Sequence, residues 1–273
     1  MIVTRFAPSP TGYLHIGHAY AAIRAHDAGE RFLLRIEDID RARCKPGFEE
    51  AIFEDLSWLG LAWEKPVLRQ SDRSDAYREA IDQLGSQGLI YPCFCTRKEI
   101  ADEIARAVSA PHGAEGPLYP GTCRALSAET RRERAASGLP YALRLDTAKA
   151  AERTGDLTFV EHGKIHAVDP LLLGDVVLAR KDMPAAYHLA VVVDDAFQGV
   201  TLVTRGDDLL PATHVQRLLR ALLDLPELAY AHHKLILDAQ GKKFSKRDFA
   251  ATLRELRANG ETPSTIRAHL GLS

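Results

Sequence analysis

The segment Arg5–His18 constrains the fold more than any other part of the chain. It reads Arg-Phe-Ala-Pro-Ser-Pro-Thr-Gly-Tyr-Leu-His-Ile-Gly-His, so a strand-like start is interrupted by two prolines and followed by an alanine-rich helical pattern. A strand that leads through a tight turn into a helix places unpaired backbone N–H groups and the positive end of the helix dipole where phosphates bind. Gly17 lets a flat base approach the backbone, and His15 and His18 can donate to phosphate oxygens. The segment therefore predicts a nucleotide site.

The glycine spacing of this segment also fits a P-loop, but the residues that follow do not. A P-loop continues with Lys and then Ser or Thr, whereas His18 and Ala19 stand in those places. The P-loop interpretation is therefore excluded. Taken alone, the segment would also fit a strand, a turn and a helix that carries surface histidines.

A cationic segment near the other end of the sequence favours the nucleotide site over surface histidines. Lys242-Lys243-Phe244-Ser245-Lys246-Arg247 follows the strand-like Lys234–Leu237 and the turn-like Asp238–Gly241. Cations and a hydroxyl on a glycine-entered loop suit the binding of a leaving pyrophosphate. Alone, this lysine cluster would more often be solvated surface.

Together, and in this order, the two segments resemble the HIGH and KMSKS signatures of class I aminoacyl-tRNA synthetases. The start Arg5–Gly12 is similar to that of the glutamyl branch. The resemblance implies ATP as a substrate, accompanied by Mg2+. It implies ATP binding by His15, Gly17, His18 and Lys246, and catalysis by His15, His18, Lys243 and Lys246.

The same resemblance implies a glutamate site. It assigns to that site Arg5, Ala7, Ser9, Glu37, Tyr187 and Arg205. The chemistry agrees, because an ionised Glu37 accepts hydrogen bonds from an ammonium, while Arg5 and Arg205 suit a carboxylate. Considered singly, the arginines would fit surface ion pairs and Tyr187 an ordinary half-buried aromatic residue.

The hydrophobic pattern predicts an α/β fold with a doubly wound, Rossmann-like parallel sheet. The predicted strands are Arg31–Ile36, which ends at Glu37 and Asp38, Leu189–Val193, which ends at Asp194 and Asp195, and Val200–Thr204. Helices are predicted over Pro46–Gly60 and Ser74–Gln87, from Pro211, within Phe249–Ala258 and after Pro263.

Near Tyr91 the alternation of strands and helices gives way to short strand-like segments and glycines, which predicts an inserted subdomain. Residues 1–90 would form the first half of the catalytic domain, 91–180 the insertion with a zinc site, and 181–238 the second half. Residues 239–273 would form the KMSKS-like loop and a short helical tail.

Three of the four cysteines lie in the predicted insertion, at Cys93, Cys95 and Cys123. In a reducing compartment, this spacing indicates zinc more than a disulfide, and a closed site needs a fourth ligand. By chemistry alone that ligand would be His112. The resemblance to shortened glutamyl enzymes implies instead the set Cys93, Cys95, Tyr119 and Cys123 around one structural Zn2+. Buried thiols without a metal are the alternative.

Composition places limits on location and partners. No apolar stretch reaches membrane-spanning length and no signal peptide precedes Arg5, so we expect a cytoplasmic protein without a membrane partner. The net charge of -2 gives no support for nucleic-acid binding, so an RNA partner must use local patches. The basic group at Arg124, Arg131, Arg132 and Arg134 includes Glu129 and Glu133, which favours a solvated helix face.

The sequence ends 26 residues after Arg247, which predicts that no anticodon-binding domain follows. In this respect the chain is similar to the stand-alone glutamyl-queuosine tRNA(Asp) synthetases. That resemblance implies tRNA-independent activation of L-glutamate and its transfer to the queuosine base at the wobble position of tRNA(Asp). One alternative is a compact glutamyl-tRNA synthetase that charges a tRNA 3′ end. Another is a non-catalytic, synthetase-like RNA-binding regulator.

Overall fold

The computed structural model describes residues 1–106, 112–113, 116–236 and 251–272. The strands are β1 Val3–Phe6, β2 Arg31–Ile36, β3 Glu64–Arg69, β4 Ile90–Cys93, β5 His112–Gly113, β6 Gly116–Pro117, β7 Ala142–Leu145, β8 Thr158–Glu161, β9 Lys164–Ala167, β10 Val177–Arg180, β11 Leu202–Gly206 and β12 Ala229–His233. The helices are α1 Ile16–Ala28, α2 Pro46–Trp58, α3 Ser74–Ser86, α4 Arg97–Arg106, α5 Ala128–Ala136, α6 Thr147–Thr154, α7 Tyr187–Phe197, α8 Leu210–Leu222, α9 Leu253–Ala258 and α10 Pro263–His269.

Two groups of parallel strands form the centre of the fold. Strands β1, β2 and β3 pair in that order, and β12 pairs in parallel with β11 on one side and β8 on the other. The two groups adjoin along β1 and β11, where Thr201 N donates to Val3 O at 3.0 Å and Arg5 Nη1 donates to Thr204 O at 3.4 Å. Because these contacts follow the same order on both strands, β1 and β11 run in the same direction. Their carboxyl ends therefore meet at one edge, where open α/β sheets bind ligands.

Helices cover these strands through apolar faces. Helices α1 and α2 bury Ala22, Ile23, Ile52 and Leu56 beneath β1 and β2, in a core that Leu253 and Ile266 of α9 and α10 complete. A second core joins α3, α7 and α8. The predicted helices α2, α3 and α8 and the predicted strand β2 are confirmed. The helical prediction after Pro263 is confirmed by α10, and α9 lies within Phe249–Ala258, whose first two residues are outside the described part of the chain.

A separate antiparallel sheet, in the order β10-β7-β4, carries the segment that contains the cysteines. Strand β8 falls within the predicted insertion in sequence, yet it extends the parallel sheet by pairing with β12. The division of the chain into two catalytic halves, an insertion and a tail stays a prediction.

Two sequence-based strand assignments are wrong. Leu189–Val193 lies inside helix α7, because a short, fully buried apolar run has the same appearance in a strand and in a buried helix. The strand expected at Lys234–Leu237 lies earlier in the chain. Strand β12 ends at His233, and Lys234–Ile236 have no regular structure. Leu237 lies outside the described residues.

Within the four described ranges, no helix combines the length and the apolar character needed to cross a membrane.

Candidate active site

The amino end of α1 is built by two histidines that cap it. His15 is the N-cap residue, and its Nδ1 accepts a hydrogen bond from Gly17 N at 3.1 Å. Nδ1 of His18 accepts from His15 N at 3.1 Å, and the two ring centroids lie 3.8 Å apart. Since both Nδ1 atoms act as acceptors, each neutral ring carries its proton on Nε2, which can donate to a phosphate oxygen. The capping arrangement thus orients two donors at the positive end of a helix.

Gly17 is required by the close approach of the His15 ring. A Cβ added at Gly17 would lie 3.1 Å from Cε1 of His15 and 3.2 Å from its Nδ1. A larger residue here would displace the capping ring.

The carboxy-terminal segment returns to this end of α1. Leu253 N donates to Leu14 O at 2.8 Å, and His15 forms an isolated bridge with Thr252. The chain that follows the KMSKS-like segment is therefore anchored beside the histidines. The predicted catalytic residues Lys243 and Lys246 lie outside the described residues.

Arg5 lies near the end of β1 and is already paired with a carboxylate within the protein. Its Nε donates to Asp195 Oδ1 at 3.0 Å, and Nη1 of Arg35 donates to the same oxygen at 2.7 Å. Burial raises the pKa of Asp195, but the two guanidinium groups lower it more, to about 2. Arg5, Arg35 and Asp195 therefore form a charged cluster that is 0–5% exposed at each residue.

Glu37 lies beside this cluster at the end of β2. Glu37 N donates to Pro8 O at 3.0 Å, which joins it to the segment that contains Ala7 and Ser9. Arg35 Nη2 lies 3.4 Å from Glu37 Oε1, and burial raises the pKa of the Glu37 carboxyl despite this partner. Ala7 is half-buried and Ser9 is exposed. The structure thus brings Arg5, Ala7 and Glu37 to one edge of the sheet.

Arg205, on β11, is buried with neutral partners. Its Nη1 donates to Tyr187 Oη at 3.4 Å, so these two predicted glutamate-site residues are in contact. The other acceptors are Nε2 of His232, Oε1 of Gln216 and Oγ1 of Thr213, at 3.0, 2.8 and 2.7 Å. In the part of the chain that the structure describes, no carboxylate pairs with this guanidinium. A buried cation without a counterion is costly, so this pocket favours an anionic ligand.

The three cysteines converge at a separate place: Cys93 ends β4, Cys95 follows it, and Cys123 lies in the turn that precedes α5. Their Sγ atoms all lie within 4.8 Å of one another, and Cys95 Sγ is 3.5 Å from Cys123 Sγ. Tyr119 Oη lies 3.3 Å from Cys93 Sγ and 3.7 Å from Cys95 Sγ. Burial raises the pKa of Cys95 to about 12, as expected for crowded thiols. Three sulfurs and a phenol oxygen around one point fit a tetrahedral Zn2+ site. The His112 side chain lies outside the described atoms.

Several residues around Arg5 and Arg205, two residues predicted for a glutamate site, were not anticipated from the sequence. Asp195 contacts Arg5, and Arg35 shares Asp195 with it. The residues that contact Arg205 are His232, Gln216 and Thr213. One signal was available, because Asp194 and Asp195 follow an apolar run and charges buried in such a run need partners. Asp194 indeed receives hydrogen bonds from Gln70 and Tyr77.

The whole chain is similar to a known family of enzymes. All of residues 1–273 match the family described as tRNA synthetases class I (E and Q), catalytic domain. The chain is 51% identical to a glutamyl-Q tRNA(Asp) synthetase of Rhodobacter capsulatus, over 99% of this chain and 100% of that protein. It is 48% identical to a glutamyl-Q tRNA(Asp) synthetase of Nocardia farcinica, over 97% of this chain and 82% of that protein.

Among solved structures, a glutamate tRNA ligase from Elizabethkingia meningosepticum in complex with its amino acid is similar, with a TM-score of 0.77 and 30% identity. The match covers 96% of this chain and 58% of that one, so this chain spans less than two thirds of the solved ligase.

Proposed function

The chain belongs to the class I tRNA synthetases of the glutamyl and glutaminyl branch, and from this premise we propose that it activates L-glutamate with ATP and transfers it to queuosine in tRNA(Asp). The similarity to the Rhodobacter capsulatus protein, which extends over the whole of that relative, supports the tRNA target. The observation that carries the choice of amino acid is the buried Arg205, whose partners among the described residues are neutral, because it fits a substrate with an additional carboxylate.

In the first step, an oxygen of the glutamate α-carboxylate attacks the α-phosphorus of ATP. The new bond gives glutamyl-adenylate, and the bond to the β-phosphate oxygen breaks so that pyrophosphate leaves. The α-carboxylate is already ionised at neutral pH, so positioning and charge neutralisation carry the catalysis. His15, Gly17 and His18 would bind ATP on one side, and Lys243 and Lys246, with the Mg2+ that accompanies ATP, on the other.

Glutamate would lie at the sheet edge between the Arg5 cluster and Arg205. Glu37 would accept from the α-ammonium, while Arg205 and the Tyr187 hydroxyl would donate to a carboxylate. Ala7 and Ser9 would line the same edge through their segment's contact with Glu37. Arg5 would contribute mainly by fixing Asp195 and the end of β1, because its Nε is already engaged.

In the second step, a hydroxyl of the queuosine cyclopentene ring attacks the carbonyl carbon of glutamyl-adenylate. An ester bond forms, the bond from the carbonyl carbon to the phosphate oxygen breaks, and AMP leaves with the hydroxyl proton passing to solvent or phosphate. This step needs the anticodon arm to reach the edge that carries Glu37 and Arg205.

The cysteine cluster would hold one structural Zn2+ through Cys93, Cys95, Cys123 and Tyr119. The convergence of the three Sγ atoms supports this assignment. Bound zinc would fix the start of the inserted region on the antiparallel sheet, and the thiols would bind it as thiolates.

Pyrophosphate exchange tests the activation step. We expect labelled pyrophosphate to enter ATP when glutamate is present and no tRNA is added. Glutamine should support little exchange, because its amide would leave Arg205 donors facing an N–H donor. Exchange that appears only after tRNA is added would contradict self-sufficient activation, and its absence under both conditions would favour a non-catalytic RNA-binding protein.

A further inference from the structure

Arg205 is held by a chain of hydrogen bonds that extends to a second strand. Its Nε donates to Nε2 of His232 at 3.0 Å, and Nδ1 of His232 lies 2.8 Å from Oε2 of Glu161. The other oxygen of Glu161 accepts from the backbone N of His232 at 2.9 Å. Glu161 is the last residue of β8 and His232 lies on β12, so one carboxylate contacts both donors of a residue on the neighbouring strand.

We propose that Glu161 is a positioning residue for the glutamate pocket: it fixes the His232 ring so that Nε2 accepts from Arg205 and the Arg205 cation stays oriented towards the substrate. This proposal rests on the binding of glutamate by Arg205 proposed above. Glu161 itself contacts neither Arg205 nor the site of the reacting atoms.

The two neighbours of the His232 ring determine which of its nitrogens carries the proton. Arg205 Nε carries a hydrogen and can only donate, so Nε2 of His232 must present a lone pair. An ionised Glu161 can only accept, so Nδ1 must carry the ring proton. These two neighbours therefore select one neutral tautomer. Burial and the adjacent Arg205 lower the pKa of His232, which agrees with a neutral ring.

The arrangement orients Arg205 without cancelling its charge. If a carboxylate contacted the guanidinium directly, as Asp195 contacts Arg5, the cation would be neutralised before substrate arrived. With His232 interposed, the negative charge of Glu161 lies one ring away from Arg205. Among the other groups that face His232, the Thr213 hydroxyl lies 3.4 Å from Nε2 and can donate to the same lone pair. The Tyr230 ring stacks on His232 with centroids 5.9 Å apart, and His162 Nε2 lies 2.8 Å from the His232 carbonyl oxygen.

A glutamine at position 161 could not replace the carboxylate, although its shape is similar. If its amide oxygen accepts from His232 N, its NH2 group faces Nδ1, and the ring proton must move to Nε2, where it opposes the Arg205 N–H. If the amide oxygen accepts from Nδ1–H instead, the NH2 group opposes the backbone N–H. Either orientation leaves two donors in contact, so Glu161→Gln removes the charge and disturbs the pocket with little change in volume.

Exchange kinetics measure the consequence for substrate binding. Glu161→Gln should raise the KM for glutamate about tenfold or more, the size of a lost hydrogen bond to a charged group. The KM for ATP and the thermal midpoint should stay close to those of the wild type. The matched control is Glu227→Gln, which removes an exposed carboxylate that pairs with the buried Arg217 of α8 and should leave both KM values unchanged. An unchanged KM for glutamate in Glu161→Gln, or equal losses for glutamate and ATP with a lower midpoint, would overturn the positioning role.

Nitrogen-15 NMR of the imidazole rings tests the arrangement independently of activity. The protein has 11 histidines, so the His232 signals are assigned by their absence from a His232→Gln variant. We expect Nδ1–H in the wild type and in Glu227→Gln, and a shift towards Nε2–H in Glu161→Gln. An Nε2–H tautomer in the wild type would overturn the proposal even if glutamate is activated. The Nδ1–H tautomer in a protein that does not activate glutamate would instead contradict the proposed function.

Discussion

Two buried arginines at the same sheet edge have different electrostatic roles. Arg5 shares Asp195 with Arg35, whereas Arg205 contacts only neutral acceptors in the described part of the chain. Sequence reasoning treated both as equivalent ligands for glutamate, because an arginine in a motif does not reveal its partners. The difference predicts that loss of Arg5 lowers the stability of the fold, whereas loss of Arg205 weakens substrate binding.

Arg205→Met should raise the KM for glutamate roughly 100-fold, because it removes charge-assisted donors from the pocket. The thermal midpoint should not fall as it does on loss of Arg5, since no carboxylate of the described residues loses a partner with Arg205. Arg5→Met is the matched comparison, and it should lower the midpoint because it leaves buried Asp195 with Arg35 alone. Calorimetry and pyrophosphate exchange on both variants would show this contrast. A larger loss of stability in Arg205→Met than in Arg5→Met would reverse the assignment.

Asp195 also predicts how stability depends on pH. Its folded-state pKa of about 2 lies below the unfolded value, so its contribution is present above about pH 4 and is lost as pH falls towards 2. Asp195→Asn should therefore lower the free energy of unfolding by about 2–3 kcal/mol at pH 7. Urea unfolding at several pH values should show the gap to the wild type narrowing below pH 4. A gap that stays constant down to pH 3 would exclude this linkage.

At the scale of single elements, α2 carries a buried carboxyl group against the carboxy-terminal helices. Asp55 is 1% exposed, and its Oδ2 has no hydrogen-bond partner among the described atoms. Burial raises its pKa to about 6, and Arg257 of α9 compensates only partly. A carboxyl whose folded pKa is raised stabilises the fold below the unfolded value near pH 4, and that stability is lost as pH rises through about 6.

Asp55→Asn should consequently raise the thermal midpoint at pH 8, because the neutral amide avoids burial of a charge. The advantage should diminish as pH is lowered from about 6 to 4, where the wild-type carboxyl becomes protonated. Differential scanning calorimetry across this range measures the effect, with Asp75→Asn on the exposed face of α3 as the control. An increase in midpoint that is equal at pH 4 and pH 8 would argue against the raised pKa.

The cysteine cluster gives a prediction for the segment between β4 and α5. Protein purified without added metal should contain about one zinc per chain. Cys123→Ser should lose the metal and the amide protection of the described residues next to the cysteines, whereas Cys44→Ser should retain both, because Cys44 does not belong to the cluster. Elemental analysis and amide hydrogen exchange are the measurements. If the wild type contains no metal and its amides there are nevertheless fully protected from exchange, the cysteines are buried thiols without a metal.

Helix α7, which was predicted as a strand, shows a limit of pattern analysis. Leu189–Val193 is apolar and rich in β-branched residues, which favours a strand locally. In the fold it is surrounded by α3, α8 and β10, and burial on several sides removes the periodicity that separates a helix from a strand. The pair Asp194 and Asp195 then lies on a helix, where one carboxylate contacts Tyr77 and the other contacts Arg5.

For the molecule as a whole, the family could be predicted from motifs and the parallel sheet from the hydrophobic pattern, but the charge network could not be predicted from either. The capping histidines are local, so the sequence was sufficient to place them where a turn leads into a helix, and the structure shows His15 as the N-cap of α1. The contact of Arg5 with Asp195 joins residues 190 positions apart, and that of His232 with Glu161 joins residues 71 positions apart. Such contacts depend on which strands become neighbours, and a single sequence with local periodicity does not specify that order.

The central claim concerns where the activated glutamate is attached. Radiolabelled glutamate, ATP and this protein should be incubated with bulk tRNA from cells that make queuosine and from cells that cannot. After nuclease digestion, the label should migrate with the anticodon fragment of tRNA(Asp), and tRNA without queuosine should accept none. Recovery of the label on the 3′-terminal adenosine, with equal acceptance by both tRNA preparations, would contradict the account and identify a glutamyl-tRNA synthetase that charges the acceptor end.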